Sequence, residues 1–144
     1  MPNKEIACFP IWFAKIRKAV QKRQIELLKP YGLSSIHAMY LVALIHCDEG
    51  MTLRELCEQL FVDKANTSRA IATLEEQDYI EKRFLTTSKQ KCRICLTPKG
   101  NLIAHKVADD MKQARDILMG ELTEEEMETV RNVMNKIHKA ADDI

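Results

Sequence analysis

Apolar residues recur at helical spacing along most of the chain, and each apolar stretch ends at a turn signal. Ile6, Phe9, Phe13, Ile16, Val20, Leu27 and Leu28 fall on one wide side of residues 4–29, which predicts a long first helix. Pro10 fits that helix either in its first turn, with the regular part starting near Phe9, or as a kink, and Pro30 stops it. Gly32 and Leu33 form a turn. Ser34 then caps a second helix running to about Cys47, with Ile36, Met39, Tyr40, Ala43 and Leu44 packing inward. Asp48-Glu49-Gly50 closes it, Gly50 taking the left-handed position.

The segment Thr52 to Ile80 predicts two helices joined by a tight turn. Thr52 and Glu55 have capping-box spacing, and Leu53, Leu56 and Leu60 share one face. Phe61 and Val62 make the turn, and Asp63 caps the next helix, whose buried stripe is Thr67, Ala70, Ile71 and Leu74. The other side carries Ala65, Asn66, Ser68, Arg69, Ala72 and Thr73, with Lys64 at its start. Short or hydrogen-bonding side chains with one arginine can lie close to base edges in a major groove. Two short strands follow, Ile80 to Arg83 and Arg93 to Leu96, around a polar turn from Leu85 to Lys91. The arrangement is a helix-turn-helix with a wing.

Thr97 and Pro98 open another helix to about Met119, with Leu102, Ile103, Val107, Met111, Ala114, Ile117 and Leu118 on one side. Gly120 breaks it. Thr123 and Glu126 form a second capping box before a last helix carrying Met127, Val130, Met134 and Ile137. The expected fold is mainly α with a small β-hairpin: residues 31–98 form the winged reading unit, and residues 1–30 and 99–144 supply dimerisation helices. The first helix is more apolar at its start than a surface helix needs, which favours burial against a second copy.

Charge sharpens this picture. The net charge of the 144 residues is only +1, but residues 1–30 carry +5, residues 31–100 balance, and residues 101–144 carry −4. Between Lys82 and Lys99 there are six basic residues, Arg83 among them, and no acidic ones, which suits phosphate contact beside a recognition helix. No apolar run is long enough for a membrane span and no signal-peptide pattern opens the chain, so a cytoplasmic protein is expected. The five cysteines are odd in number and suggest no disulfide framework. Cys92 and Cys95 are spaced C-x-x-C, but in a strand they point to opposite faces, and neither a second pair nor a nearby histidine completes a zinc site. No nucleophile–base pair, phosphate loop or cofactor motif is visible, so neither an enzyme nor a cofactor is expected.

Several anchors together resemble the MarR (multiple antibiotic resistance regulator) family. They are Tyr31-Gly32-Leu33-Ser34-Ser35, Leu53-x-x-Leu56, Val62-Asp63 through Arg69, Leu74-Glu75, Tyr79-Ile80-Glu81-Lys82-Arg83 and Leu96-Thr97-Pro98-Lys99-Gly100. The resemblance implies a homodimer binding double-stranded DNA at a pseudo-palindromic operator and usually repressing nearby promoters. It implies DNA contacts from Lys64, Ala65, Asn66, Ser68, Arg69 and Thr73 on the recognition helix, and from Arg83, Ser88, Lys89, Gln90 and Lys91 in the wing. It also implies a cleft where small phenolic or lipophilic ligands weaken DNA binding, with Trp12 and His37 as candidate lining. The family wing usually carries Asp-x-Arg where this chain has Ser88 and Gln90, so weaker wing contacts are expected, with Lys89 and Lys91 as substitutes. One branch of the family senses hydroperoxides through an N-terminal cysteine, a role for which Cys8 is the candidate. The competing function is a winged-helix interaction module that does not read DNA.

Overall fold

The structure, a computed structural model, describes residues 9–84 and 92–144. Among these residues the order is α1 (Phe9–Leu28), a 3-10 turn (Lys29–Tyr31), α2 (Ile36–Ile45), α3 (Leu53–Leu60), α4 (Lys64–Glu76), β1 (Ile80–Phe84), β2 (Cys92–Leu96), α5 (Pro98–Met119) and α6 (Glu124–Ala141). The chain divides into two compact units, one ending at Met111 and the other spanning Lys112–Ile144.

In the first unit the core gathers around Leu28, Tyr40, Leu41, Leu44, Leu56, Ile71, Leu74, Ile80 and Val107, all nearly or wholly buried. Pro10 stands in the first described turn of α1, where its missing N–H costs nothing. Gly32 ends the 3-10 turn at φ +69°. The expected hydroxyl cap on α2 is not made. The Ser34 Oγ lies 3.2 Å from His37 Nδ1, and the helix starts at Ile36 and stops at Ile45, short of Cys47. The inward face of α2 is also rotated from expectation. His37, Ala38, Tyr40, Leu41 and Leu44 are buried, whereas Ile36 and Met39 are exposed. The sequence IHAMYLVALI is apolar nearly all round, so its periodicity cannot choose a face.

Both helices of the helix-turn-helix are capped as their sequences require. Glu55 N–H donates to Thr52 Oγ1 and Thr52 N–H to Glu55 Oε2, at 3.1 and 3.0 Å. Asp63 Oδ1 accepts from Asn66 N–H at 2.7 Å. The turn between them places Phe61 in the left-handed region at φ +54°. The stripe Thr67, Ala70, Ile71 and Leu74 is buried, and the Thr67 and Tyr40 hydroxyls meet at 3.2 Å, tying α4 to α2.

β1 and β2 pair antiparallel, Ile80 opposite Leu96 and Phe84 opposite Cys92, and Met51 bridges to Ile94 on the other edge of β2. Thr97 Oγ1 accepts from Gly100 N–H and donates to the Asp78 carbonyl, so one hydroxyl caps α5 and fixes it to the turn between α4 and β1. Ile103, Ala104 and Val107 of α5 join the core, and Arg23 of α1 pairs with Asp110 at 2.7 Å. Leu102 and Met111, expected on the packed side, are exposed.

The second unit consists of the end of α5 and α6. The capping box of Thr123 and Glu126 is present, with bonds of 3.1 and 2.9 Å. No residue of α6 is buried in the single chain, and Ile117 and Leu118, assigned to the packed side of α5, are exposed.

Candidate nucleic-acid interface

The outward face of α4 is built by the residues that its buried stripe leaves over. Lys64, Ala65, Ser68 and Arg69 are exposed, and Asn66 and Thr73 are half-buried. Asp63 organises this face as well as capping the helix. Its Oδ2 accepts from the Asn66 side-chain amide at 2.9 Å, which turns the amide oxygen toward Arg69, and the Arg69 guanidinium donates to it. Thr73 Oγ1 donates to the Arg69 carbonyl at 3.1 Å. The guanidinium is therefore held by a relay from the helix cap rather than left to sweep through its rotamers, which lowers the entropy cost of any contact it makes. No carboxylate binds Arg69 directly among the described contacts, so its charge is oriented without being neutralised.

The hairpin divides its charges by strand parity. Glu81 and Arg83 share a face with Arg93 and Cys95, whereas Lys82 and Phe84 share the other with Cys92 and Ile94. Arg83 donates to Glu81 Oε1 through Nε and Nη2 at 3.0 and 2.8 Å, and it lines a cavity behind the hairpin with Leu44, Cys47 and Cys95. Lys82 instead lines a cavity with Ser68 and Ile71 of α4. Hence Lys82, which was counted only as part of the basic run, sits next to the predicted recognition face, and Arg83 is aimed away from it. The alternation of a two-residue period carried that signal. Arg54 is a second cation not singled out by sequence. It lies in the first turn of α3 and lines a cavity with Lys64. Ser88, Lys89, Gln90 and Lys91 lie outside the described residues, as does Cys8.

Trp12 is half exposed on α1, while His37 is buried on the inner side of α2, and none of the described cavities has either in its lining. Ser34 N–H donates to His37 Nδ1 at 3.1 Å, which assigns the ring proton to Nε2 in the neutral form. Burial holds the His37 pKa below the ordinary histidine value. Burial likewise pushes the Cys95 thiol up, which makes it a poor nucleophile near neutral pH. Among the described residues no group of three or more His, Cys, Asp or Glu side chains could hold a metal ion, and no helix is long and apolar enough to cross a membrane.

Residues 31–89 match the model of the MarR family. The chain is 26% identical over 136 residues to the HTH-type transcriptional regulator SarZ of Staphylococcus aureus, covering 94% of this chain and 88% of that protein. It is 27% identical over 111 residues to the HTH-type transcriptional regulator YybA of Bacillus subtilis, covering 77% and 73%. Among solved structures it resembles the transcriptional regulator SlyA, with TM-score 0.86, 21% identity and 94% of each chain covered. A MarR family regulator from Listeria monocytogenes complexed with 26mer DNA gives TM-score 0.82 and 23% identity, covering 91% and 87%. A Staphylococcus aureus MarR in complex with salicylate and kanamycin gives 0.77 and 20%, covering 96% and 93%. At these identities the structural likenesses establish the fold.

Proposed function

We propose that the chain is a winged helix-turn-helix transcriptional regulator of the MarR family, which its similarity over residues 31–89 and to SarZ supports, and that it binds a pseudo-palindromic operator as a homodimeric repressor. The observation that carries this reading is the ordered polar face of α4, hung on a fully buried stripe and headed by Asp63. In the reading, α4 lies in the major groove. Arg69 and Asn66 are the hydrogen-bonding readers, suited to guanine and adenine edges respectively. Ala65 and Ser68 allow close approach, while Lys64 and Thr73 meet the backbone. The wing flanks the backbone or minor groove through residues 88–91, with Lys82 rather than Arg83 as the hairpin cation beside α4.

Dimerisation uses the chain ends. Trp12, Phe13 and Ile16 of α1 are exposed, as are Ile117, Leu118, Val133, Met134 and Ile137 near the C-terminus. Burying such apolar surface against a second copy yields about 25 cal/mol per Å². A two-fold dimer would then set its recognition helices about one DNA turn apart, ~34–36 Å. The salicylate complex of a structural neighbour supports modulation by a small phenolic or lipophilic ligand. The proposed role is regulatory and cytoplasmic, without catalysis.

A fluorescence-anisotropy titration tests this. DNA from upstream of the chain's own gene is compared with scrambled DNA at about 50 and 200 mM salt. Selective, salt-sensitive binding at two subunits per site is expected. No binding by folded, dimeric, ligand-free protein would overturn the reading and favour the interaction module.

A further inference from the structure

Two cavities adjoin between α3, α4 and β2, on the side of α4 that carries Lys64 and Ser68. The larger, about 550 Å³, has Arg54, Cys57, Lys64 and Cys92 in its walls. The smaller, about 190 Å³, is lined in part by Ser68, Ile71, Lys82 and Cys92. Cys92 stands where the two meet, and both cysteines are half-buried free thiols. Among the described residues, the charged side chains in these walls are Arg54, Lys64 and Lys82, and no carboxylate lines either cavity. Arg54 and Lys82 do have carboxylate partners, Glu58 at 2.9 Å and Glu75 at 3.6 Å, but both carboxylates are exposed and outside the lining. A thiophilic metal cation would meet like charges here. An anionic thiol reagent would meet opposite ones.

We propose that this groove is a thiol-modification site in which Cys92 exchanges with an anionic low-molecular-weight disulfide. The Cys92 sulfur, as thiolate, attacks one sulfur of the disulfide RSSR. The S–S bond breaks, a Cys92–S–S–R bond forms, and RS⁻ leaves and takes up the proton that Cys92 released. One thiol is consumed and one produced, so no other oxidant is required. The adduct fills the groove and sets negative charge beside Lys64 and Ser68. DNA release follows, a consequence that rests on the reading of α4 as the DNA-facing helix.

Glutathione disulfide serves as the probe on the full native chain, with peptide mass mapping to locate the adduct and anisotropy to follow DNA. The first adduct should be one glutathionyl group on Cys92, absent in Cys92→Ser. The modified protein should bind DNA at least about tenfold more weakly and recover on reduction. Two methanethiosulfonate reagents, one bearing a sulfonate and one a quaternary ammonium, separate charge from access. The anionic reagent should react several-fold faster at Cys92, and the difference should shrink in about 1 M salt. A first adduct on any other cysteine, or equal rates at low salt, overturns the proposal. A Cys92 adduct that leaves existing DNA affinity unchanged overturns the regulatory consequence. If the unmodified protein binds no DNA, the DNA reading falls instead, and the mapping and rate ratio still decide the thiol site.

Discussion

Gly100 and Gly32 separate two costs of adding a single methyl group. A Cβ at Gly100 would lie 1.8 Å from the Tyr79 carbonyl oxygen and 2.7 Å from its carbon, far inside the 3.4 Å where ordinary contact begins. Both atoms are backbone, so α5 and the turn that leads into β1 must move apart. That movement falls on a hydrogen-bonded joint. Thr97 N–H donates to the Tyr79 carbonyl at 3.1 Å, and Thr97 Oγ1 links Gly100 N–H to the Asp78 carbonyl at 3.0 and 2.7 Å. Overpacking costs about 1–3 kcal/mol, and a buried bond broken with its partner unsatisfied adds about 1–3 kcal/mol. Gly100→Ala should therefore cost roughly 3–5 kcal/mol. At Gly32 the problem is conformational: φ is +69°, and the new Cβ would lie 3.3 Å from the movable end of Gln77. The left-handed penalty is about 1–2 kcal/mol, partly offset by the lower entropy of the unfolded chain. Urea unfolding at one fixed protein concentration compares them, with a slope of about 2 kcal/mol/M. Gly100→Ala should lower the midpoint by roughly 2 M, or yield no folded protein, and Gly32→Ala by about 0.5 M. Equal shifts would refute the reasoning, because they would mean that the Tyr79 contact relaxes freely.

Asp63→Ala should cost about 1 kcal/mol in urea unfolding through the lost cap. Asp63→Ser keeps a capping oxygen but not the second oxygen that orients Asn66, so it should hold stability yet lose operator discrimination as Asp63→Ala does; anisotropy with operator and scrambled DNA decides this. Arg69→Ala should weaken operator binding by roughly 1–3 kcal/mol and relax selectivity at one base position, read by the same titration against single-base operator variants. Lys82→Ala should lower the salt slope of DNA binding by about one, whereas Arg83→Ala, on the hairpin face away from α4, should lower it less; the opposite order would mean that the hairpin presents its other face. For His37, the folded pKa lies below the ordinary value near 6.5. Above that value the ring is neutral in both states and costs nothing. As pH falls below it, the unfolded chain binds the proton first and stability drops. Between pH ~7.5 and ~5.5, the urea midpoint of His37→Asn should therefore fall less than that of the unsubstituted protein.

Much of the fold was legible because its signals are local. Thr52 with Glu55, Asp63, Thr97 with Pro98, and Thr123 with Glu126 each satisfy orphan N–H groups within one turn of chain, and all four are where their spacing places them. The buried stripe of α4 was legible for the same reason, since Thr67, Ala70, Ile71 and Leu74 alternate with polar residues at a helical period. In α2 what failed was orientation, because that helix has no polar side. In α2, ten residues from Ile36 to Ile45 are apolar or nearly so, and only tertiary packing selects Ala38, Tyr40, Leu41 and Leu44 over Ile36 and Met39. Ser34 failed differently: a hydroxyl that could cap α2 meets the His37 ring instead, a competition that spacing cannot resolve.

The candidate site divides along the same line between local and non-local information. The α4 face follows from its own stripe, but the relay from Asp63 through Asn66 to Arg69 needs coordinates, because the amide orientation depends on both neighbours together. In the hairpin, net charge was informative and assignment was not. Counting six basic residues treats Lys82 and Arg83 alike, yet neighbouring strand residues face opposite ways. Ile80 must enter the core, being 1% exposed. That fixes Lys82 on the side of α4 and sends Arg83 to Glu81 and the cavity behind. The buried residue that anchors a strand thus decides which of two adjacent cations faces the recognition helix. The same parity puts Cys92, and not Cys95, in the groove beside Lys64.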